Sequence, residues 1–221
     1  THPWLRRCVA TPTHRLQLAD DMEQYWRSTG KMKDIRLARN RCRSLHFTVD
    51  APGAAAWIIR QWAEKWSHGC PGLLEEVDDR IVAADCLAAH GLHHALLLCD
   101  EDKPVAGATM TVHGNDVVAG VICRDVEYDR CNIGTRLLDL SFQWALEAGY
   151  TTYDIGGGHE YKQDWAPCVG ERWQLRICPP LLFDMEQLLA GVKMLGHAVT
   201  ASLEHSALET LLHARAGHDS Q

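Results

Sequence analysis

Three short apolar segments joined by tight turns constrain this chain more than any other feature. Ala95–Cys99, Val105–Val112 and Val117–Cys123 are apolar, and the turn sequences Asp-Glu-Asp-Lys-Pro and His-Gly-Asn-Asp separate them. Short strands joined by such turns predict an antiparallel meander. A helical pattern over Asn132–Ala148 and a strand at Thr151–Ile155 follow, so the sequence predicts an α+β protein.

Segments on either side of the meander extend this prediction. Before it, apolar periodicity predicts helices over Leu18–Ser44 (with a break at Gly30), Pro52–Ser67 and Leu73–His90, and a short strand at Leu45–Val49. After it, we expect a last strand at Glu171–Cys178 and a long helix at Phe183–Ala214. The expected organisation is a helical segment at 1–44, a sheet domain at 45–180 and a C-terminal helical extension at 181–221.

Composition limits the classes of protein to consider. The 22 basic and 29 acidic residues give a net charge of −7, which disfavours a general nucleic-acid binder. No apolar run approaches the roughly 20 residues that a membrane-spanning helix needs. The nine cysteines are scattered without a CxxC pair. We therefore expect a cytoplasmic protein with reduced thiols and no membrane span.

One stretch is dense in potential metal ligands, namely Cys86, His90, His93, His94 and Cys99. Cys86, His90 and His94 repeat at i, i+4, which would place them on one face of a helix. A glycine interrupts that helix, and the spacing matches no known ligand pattern. We predict no metal site, and a metal-dependent hydrolase stays a third hypothesis.

Two segments carry the residues that point to a function, and the first begins the helix after the meander. A glycine at a helix start lets backbone N–H groups approach a ligand, and the positive end of the helix dipole favours a phosphate. The alternative is a tight turn without a ligand. The residues predicted to bind a pyrophosphate here are Asn132, Ile133, Gly134, Thr135 and Arg136.

The second segment ends the strand at Thr151–Ile155 with three consecutive glycines, which permit close approach of a ligand. Lys162 is suited to bind a phosphate or to stabilise a developing oxyanion. A neighbouring carboxylate or histidine is suited to remove a proton from an amine or hydroxyl. The candidate catalytic residues are Asp154, His159, Glu160, Tyr161 and Lys162. The alternative is a solvated glycine-rich loop.

These two segments resemble the GNAT acyltransferases. Asn132–Leu138 is similar to the phosphate-binding turn R/Q-x-x-G-x-G/A of that superfamily, and Leu137–Trp165 resembles its FemAB-like branch, which includes acyltransferases linked to cell-envelope and exopolysaccharide synthesis. Lys31–Arg43, with six basic residues against one Asp, is similar to the basic segment upstream in that family. The resemblance implies a GNAT-like, largely antiparallel mixed sheet flanked by helices.

The resemblance also implies an activity. It implies transfer of an acyl group from acyl-CoA, with acetyl-CoA as the default, to an amine or hydroxyl of a small molecule or a cell-envelope precursor. Acyl-CoA is then a co-substrate, and no tightly bound cofactor is expected. In FemAB-like enzymes the lysine of a Tyr-Lys pair lies in the donor/acceptor channel, and the matching residue is Lys162.

Two positions depart from the GNAT pattern. Asp129 stands where Arg or Gln is usual, and Asn132 stands where the first glycine is usual. A carboxylate near a pyrophosphate is unfavourable, so two alternatives stay open. One is a FemAB-like transfer from aminoacyl-tRNA, with Lys31–Arg43 as the phosphate contact. The other is a GNAT-shaped module without catalysis, in which Phe183–Ala214 docks on a partner or forms a homodimer.

Overall fold

The computed structural model describes residues 5–18, 21–70, 72–157 and 160–177. Contacts divide the chain into two units, and residues 11–172 form the unit that contains the features discussed below. The other unit combines residues 1–10 and 173–221, of which the strand residues 5–10 and 173–177 are described. The predicted helix at Phe183–Ala214, and the homodimer contact proposed for it, lie outside the described residues.

A seven-stranded mixed sheet forms the centre of the fold. Its strands are β1 (Leu5–Gln17), β2 (His46–Val49), β3 (His93–Asp100), β4 (Lys103–His113), β5 (Asp116–Arg124), β6 (Thr152–Gly156) and β7 (Cys168–Ile177). They lie in the order β2-β3-β4-β5-β6-β1-β7. Neighbours from β2 to β5 are antiparallel, β5 and β6 are parallel, and β6 and β1 are antiparallel. The predicted meander is β3-β4-β5, and the α+β class is confirmed.

Helices cover both faces of this sheet. The described α-helices are α1 (Met22–Ser28), α2 (Met32–Arg41), α3 (Ala54–Trp66), α4 (Val77–Ala88) and α5 (Ile133–Glu147), with 3-10 helices at Val126–Cys131 and Glu160–Asp164. One core contains Trp26 of α1, Ile35 of α2 and Phe142 of α5. Ile58 of α3 belongs to a separate core with Leu97 of β3. Within the described ranges, no helix is long and apolar enough to cross a membrane.

The predicted break at Gly30 is confirmed, because Gly30 adopts φ +74°, which a side chain would disfavour, and it separates α1 from α2. Two other elements differ from the predictions. The predicted helix at Leu73–His90 begins later, at Val77, because residues 72–76 form turns. Strand β1 was not predicted, although it pairs with β6 and so supports the centre of the sheet.

A glycine in β4 sets how closely α3 approaches the sheet. A Cβ atom at Gly107 would lie 2.5 Å from Cγ1 of Ile58 and 2.9 Å from Cδ2 of Leu97. Both neighbours are well buried, so neither has room to move away. Gly107 therefore allows α3 to lie directly on the strands that border the candidate site.

A buried carboxylate joins α2 to α5. Asp139 is fully buried and accepts hydrogen bonds from Nε and Nη2 of Arg39 (2.9 and 2.8 Å) and from Nη1 of Arg136 (2.7 Å). Gln143 donates a further one at 3.1 Å. The hydrogen bond that Arg39 donates to Asp139 is the main reason why the pKa of Arg39 is raised. Arg39 also binds Glu23 at 3.1 Å, so one guanidinium connects α1, α2 and α5.

We predict that Asp139→Asn lowers the free energy of unfolding by about 3 kcal/mol, because it leaves two partly buried guanidinium groups without their carboxylate. Urea unfolding followed by circular dichroism measures this change. The matched control is Asp116→Asn, which removes an ion pair with Arg15 at 3.9 Å in which both side chains are about two-fifths exposed. That control should change stability by less than about 1 kcal/mol. Equal effects of the two substitutions would contradict the role given to Asp139.

Candidate functional site

The two parallel strands at the centre of the sheet separate soon after they begin to pair. β5 and β6 are in register at Asp116–Thr152, Val117–Tyr153 and Val118–Asp154, and the pairing ends there. β5 continues to Arg124 beside β4. A gap therefore opens between the carboxyl ends of β5 and β6, which is where open α/β sheets commonly bind ligands.

A cavity of about 390 Å³ lies on the α5 side of this gap. We call it the α5-side cavity. Its walls come from β4, β5, β6 and the first half of α5, with Tyr161 and Trp165 beyond β6. The wall includes apolar side chains such as Met110, Leu137 and Ile155, and one end is formed by Arg124, Gly134 and Thr135. The shape and chemistry suit a ligand with an apolar part and a polar end.

A second cavity, of about 670 Å³, lies on the side of the sheet covered by α3 and α4. We call it the α3-side cavity. Three residues, Ile122, Arg124 and Tyr161, line both cavities. The two cavities therefore meet at the β5–β6 gap, and a group bound in one can reach a group bound in the other. The α3-side cavity is lined by Trp62, Lys65, Trp66, Cys70, Leu73, Arg80, Gly120, Val121, Ile122, Arg124, Tyr161 and Lys162.

The predicted pyrophosphate-binding turn lies at the start of α5. Asn132 adopts φ 58° and ψ 40°, the left-handed conformation, and caps α5 without a side-chain hydrogen bond. After glycine, asparagine is among the residues that adopt this conformation most readily. Asn132 thus has the backbone shape that a glycine provides at this position. Within the described residues, the N–H groups of Ile133, Gly134 and Thr135 make no hydrogen bond.

The five residues of this turn do not all face a ligand. Gly134 and Thr135 line the α5-side cavity. Ile133 is fully buried in the core, and Arg136 donates to Asp139 at 2.7 Å. The structure therefore brings Gly134 and Thr135 to the cavity, whereas Ile133 and Arg136 anchor the helix start.

Asp129, the carboxylate that departs from the GNAT pattern, is held by an arginine. Nε and Nη2 of Arg124 both donate to it, the second at 3.3 Å. The hydrogen bond from Arg124 lowers the pKa of Asp129, and the same bond raises the pKa of Arg124. The negative charge of Asp129 is therefore compensated at the end of β5. Sequence reasoning did not identify Arg124 as a site residue.

Lys162 lies at the end of β6 and is 9% exposed. Its ammonium donates to the carbonyl oxygens of Ile155 (3.0 Å) and Gly157 (2.9 Å). These two carbonyls belong to the segment that has left the β5–β6 ladder. Lys162 therefore supplies hydrogen bonds that strand pairing does not supply there, and its side chain also lines the α3-side cavity.

Tyr161 and Asp154 occupy different environments. Tyr161 is 53% exposed at the meeting point of the two cavities, and burial raises the pKa of its hydroxyl although Arg124 acts to lower it. Asp154 is buried, accepts from Oγ1 of Thr13 (2.7 Å) and from the N–H of Gly156 (2.7 Å), and lines neither cavity. These contacts favour a positioning role for Asp154.

The two other candidate catalytic residues are described less fully. His159 lies outside the described residues. The backbone of Glu160 begins the 3-10 helix Glu160–Asp164, and its side chain is not among those described. Their roles as proton acceptors stay predictions.

Cys123 lines the α5-side cavity and was not predicted as a site residue. Burial raises the pKa of its thiol to about 12. The thiol is therefore protonated at neutral pH, and a protonated thiol is a poor nucleophile. The arrangement favours direct attack of an acceptor on a donor over a covalent intermediate on this cysteine.

The histidine- and cysteine-rich stretch is dispersed in the structure. Cys86 lies on α4, while His94 lies on β3 and contacts Oδ2 of Asp50 at 2.8 Å. Among residues 5–18, 21–70, 72–157 and 160–177, no three His, Cys, Asp or Glu side chains are grouped so that they could hold a metal ion.

The basic segment Lys31–Arg43, which contains α2, has two kinds of cation. Lys31 binds Asp164 at 3.0 Å, Arg41 donates to the carbonyl of Arg130, and Arg39 binds Asp139 as described above. Lys33, Arg36 and Arg43 are exposed and form no ion pair with the part of the chain that the structure describes. The second group is accessible to a polyanion.

A sequence model of the acetyltransferase (GNAT) domain matches residues 29–165, which is more than half of the chain. The chain therefore belongs to the GNAT acetyltransferase family. No curated protein sequence matches it significantly.

Solved structures agree with this fold. FemX is similar with a TM-score of 0.53 and 12% identity, over 78% of this chain and 63% of that one. L-PGS from Bacillus licheniformis has a TM-score of 0.50 and 15% identity, over 79% and 62%. A conserved protein from Bacteroides thetaiotaomicron VPI-5482 has a TM-score of 0.54 and 15% identity, over 78% and 62%. The chain spans less than two thirds of each, and the predicted GNAT/FemAB-like fold is confirmed.

We predict that Lys162→Met lowers the free energy of unfolding by about 2 kcal/mol, because two carbonyl groups at the end of β6 lose a buried donor. Thermal unfolding measures the change. Lys103→Met is the control, because Lys103 is 65% exposed and pairs with Asp125 at 3.3 Å. It should change stability by no more than about 0.5 kcal/mol. A Lys162→Met protein with unchanged stability and no turnover would instead indicate a purely chemical role.

Proposed function

We propose that this protein transfers an acyl group from acyl-CoA, with acetyl-CoA as the default donor, to an amine or hydroxyl of a small molecule or a cell-envelope precursor. The observation that supports the proposal is the meeting of two cavities at the β5–β6 gap, one of which ends at the amino terminus of α5. In this proposal the donor occupies the α5-side cavity and the acceptor occupies the α3-side cavity. The acyl carbon lies at the gap.

The donor end of the proposal rests on the start of α5. The N–H groups of Ile133, Gly134 and Thr135 and the helix dipole suit a pyrophosphate. Arg124 neutralises Asp129, which removes the main electrostatic objection to a phosphate at this turn. The apolar wall, with Met110 and Leu137, suits the less polar part of the donor.

The proposed chemistry is direct attack of the acceptor on the thioester carbonyl. The carbon–nucleophile bond forms, the carbonyl oxygen becomes an oxyanion, and the carbon–sulfur bond then breaks. Backbone N–H groups at the unpaired edge of the gap, together with Lys162, would stabilise the oxyanion. His159 or Glu160 would take the proton of the acceptor, and Tyr161 would give a proton to the departing thiolate.

An aminoacyl-tRNA donor is the second candidate. It is favoured by one observation, the three accessible cations Lys33, Arg36 and Arg43 in and just after α2, which suit an RNA backbone. In that case the donor's ester carbonyl would occupy the same gap. Binding of coenzyme A distinguishes the two candidates. Coenzyme A would occupy the α5-side cavity, to which α2 contributes no residue, whereas aminoacyl-tRNA would also contact the cations of the basic segment.

We expect Asn132→Gly to bind coenzyme A as tightly as the unaltered protein, since glycine adopts the left-handed conformation without strain. We expect Asn132→Val to bind about tenfold more weakly, because a β-branched residue in that conformation costs about 1–2 kcal/mol and distorts the turn. Isothermal titration calorimetry with coenzyme A measures both. Circular dichroism first verifies that the valine variant is folded.

Two results would count against this donor. If the valine variant binds coenzyme A as the glycine variant does, the pyrophosphate is held elsewhere. If neither the unaltered protein nor any variant binds coenzyme A at millimolar concentration, aminoacyl-tRNA replaces acyl-CoA as the proposed donor.

We expect Tyr161→Phe to reduce kcat roughly a hundredfold with little change in the KM for acyl-CoA, because it removes the proposed proton donor. The pKa of Tyr161 lies above the ordinary value of 10, so the hydroxyl stays protonated through neutral pH and its contribution is lost only as pH rises above about 10. Release of coenzyme A thiol at a series of pH values measures this. Tyr128→Phe is the control, since Tyr128 contacts Asp100 and lines neither cavity. An unchanged kcat in Tyr161→Phe would remove Tyr161 from the mechanism.

A further inference from the structure

The α3-side cavity differs in charge from the protein as a whole. The chain carries a net charge of −7, yet the described lining of this cavity contains four cationic side chains and no Asp or Glu. The cations are Lys65, Arg80, Arg124 and Lys162. Trp62, Trp66 and Tyr161 add aromatic surface between them. This local composition is that of a binding site for an anion with an apolar or planar part.

The cations in this cavity are compensated to different degrees. Arg124 is held by Asp129, and Arg80 forms an exposed i, i+4 pair with Glu76 at 2.8 Å. Lys65 forms no ion pair within 4.0 Å in the part of the chain that the structure describes. Its charge acts at longer range on Asp129, whose pKa is lowered first by Arg124 and less by Lys65. Lys65 therefore brings a charge that a ligand can satisfy.

The cations and the indole rings are arranged as pairs. Nζ of Lys65 lies 5.8 Å from the ring centroid of Trp66, and Cζ of Arg80 lies 5.3 Å from that of Trp62. Trp66 is 43% exposed. The guanidinium of Arg80 is restrained by its indole and by a weak surface ion pair, so it can exchange Glu76 for a ligand at little cost. Each anion contact would thus lie beside a flat apolar surface.

We propose that the acceptor is an anionic amine or alcohol, held through a phosphate or carboxylate by Lys65 and Arg80 beside Trp66. Its nucleophilic nitrogen or oxygen then reaches the β5–β6 gap next to Tyr161. The placement of the reaction rests on the proposed function, but the anion selectivity rests on the cavity itself. A polycationic amine is repelled by the same residues, which excludes that class of acceptor.

The test uses three small amines that differ in one group, namely ethanolamine, O-phosphoethanolamine and β-alanine. Ligand-observed NMR titration of the full chain without acyl-CoA gives their dissociation constants. We expect at least one of the two anionic compounds to bind at least tenfold more tightly than ethanolamine, and its binding to weaken as salt is added. The tighter of the two identifies a phosphate or a carboxylate as the recognised group. Equal affinity for all three, or a preference for ethanolamine, would overturn the inference.

Variants assign the binding to this cavity. Lys65→Gln and Arg80→Gln should each weaken the preferred anion three- to tenfold and leave ethanolamine unchanged. Arg60→Gln is the matched control, because Arg60 lies on α3 with Lys65, pairs with Asp78 at 3.9 Å and does not line the cavity. If Lys65→Gln and Arg80→Gln have no effect whereas Asn132→Val abolishes anion binding, the anion binds at the start of α5 and the inference is wrong.

Failure of this inference can be distinguished from failure of the proposed donor. If coenzyme A does not bind but the anion selectivity and its dependence on Lys65 hold, the donor proposal fails and the anionic site stands. If acetyl-CoA binds and a cationic amine is the better acceptor in turnover, the donor proposal stands and the anionic acceptor is rejected.

Discussion

The early separation of β5 and β6 is the constraint on which the rest of the site depends. Three residue pairs join these strands before the ladder ends at Val118 and Asp154. Beyond that point the backbone groups that face the gap have no partner in the opposite strand, although β5 still pairs with β4 and β6 with β1. Buried backbone groups must find another partner. The two cavities occupy the space that the separation creates. Lys162 donates to the carbonyls of Ile155 and Gly157 beside this space.

Holding the gap open also requires that α5 be fixed, since its first turn forms one end of the α5-side cavity. The buried carboxylate of Asp139 does this through Arg39 and Arg136. The basic segment Lys31–Arg43, which the sequence suggested as a phosphate contact, therefore also has a structural role. Its Arg39 is a structural partner of α5, and the exposed Lys33, Arg36 and Arg43 are accessible to a ligand.

Periodicity predicted the meander and α5 because apolar spacing and turn residues are local signals. Strand β1 was missed, although Leu16 and Leu18 are buried and alternate with the exposed Arg15 and Gln17, because its pairing with β6 spans most of the chain. For the site, sequence indicated the two segments that border the gap. It did not indicate Arg124 or Lys65, because their importance comes from Asp129 and from a cavity that only the folded chain assembles.

The role of Lys162 illustrates why residue type alone was insufficient. A lysine after a glycine-rich strand end suggested a group that meets the substrate, and the structure shows its ammonium bound to the carbonyls of Ile155 and Gly157. The two roles are compatible. An ammonium that replaces strand hydrogen bonds is fixed beside the gap, and a fixed charge needs little reorganisation when an oxyanion forms. The same charge adds to the positive potential of the α3-side cavity, so the group that satisfies these two carbonyls also favours an anionic acceptor there.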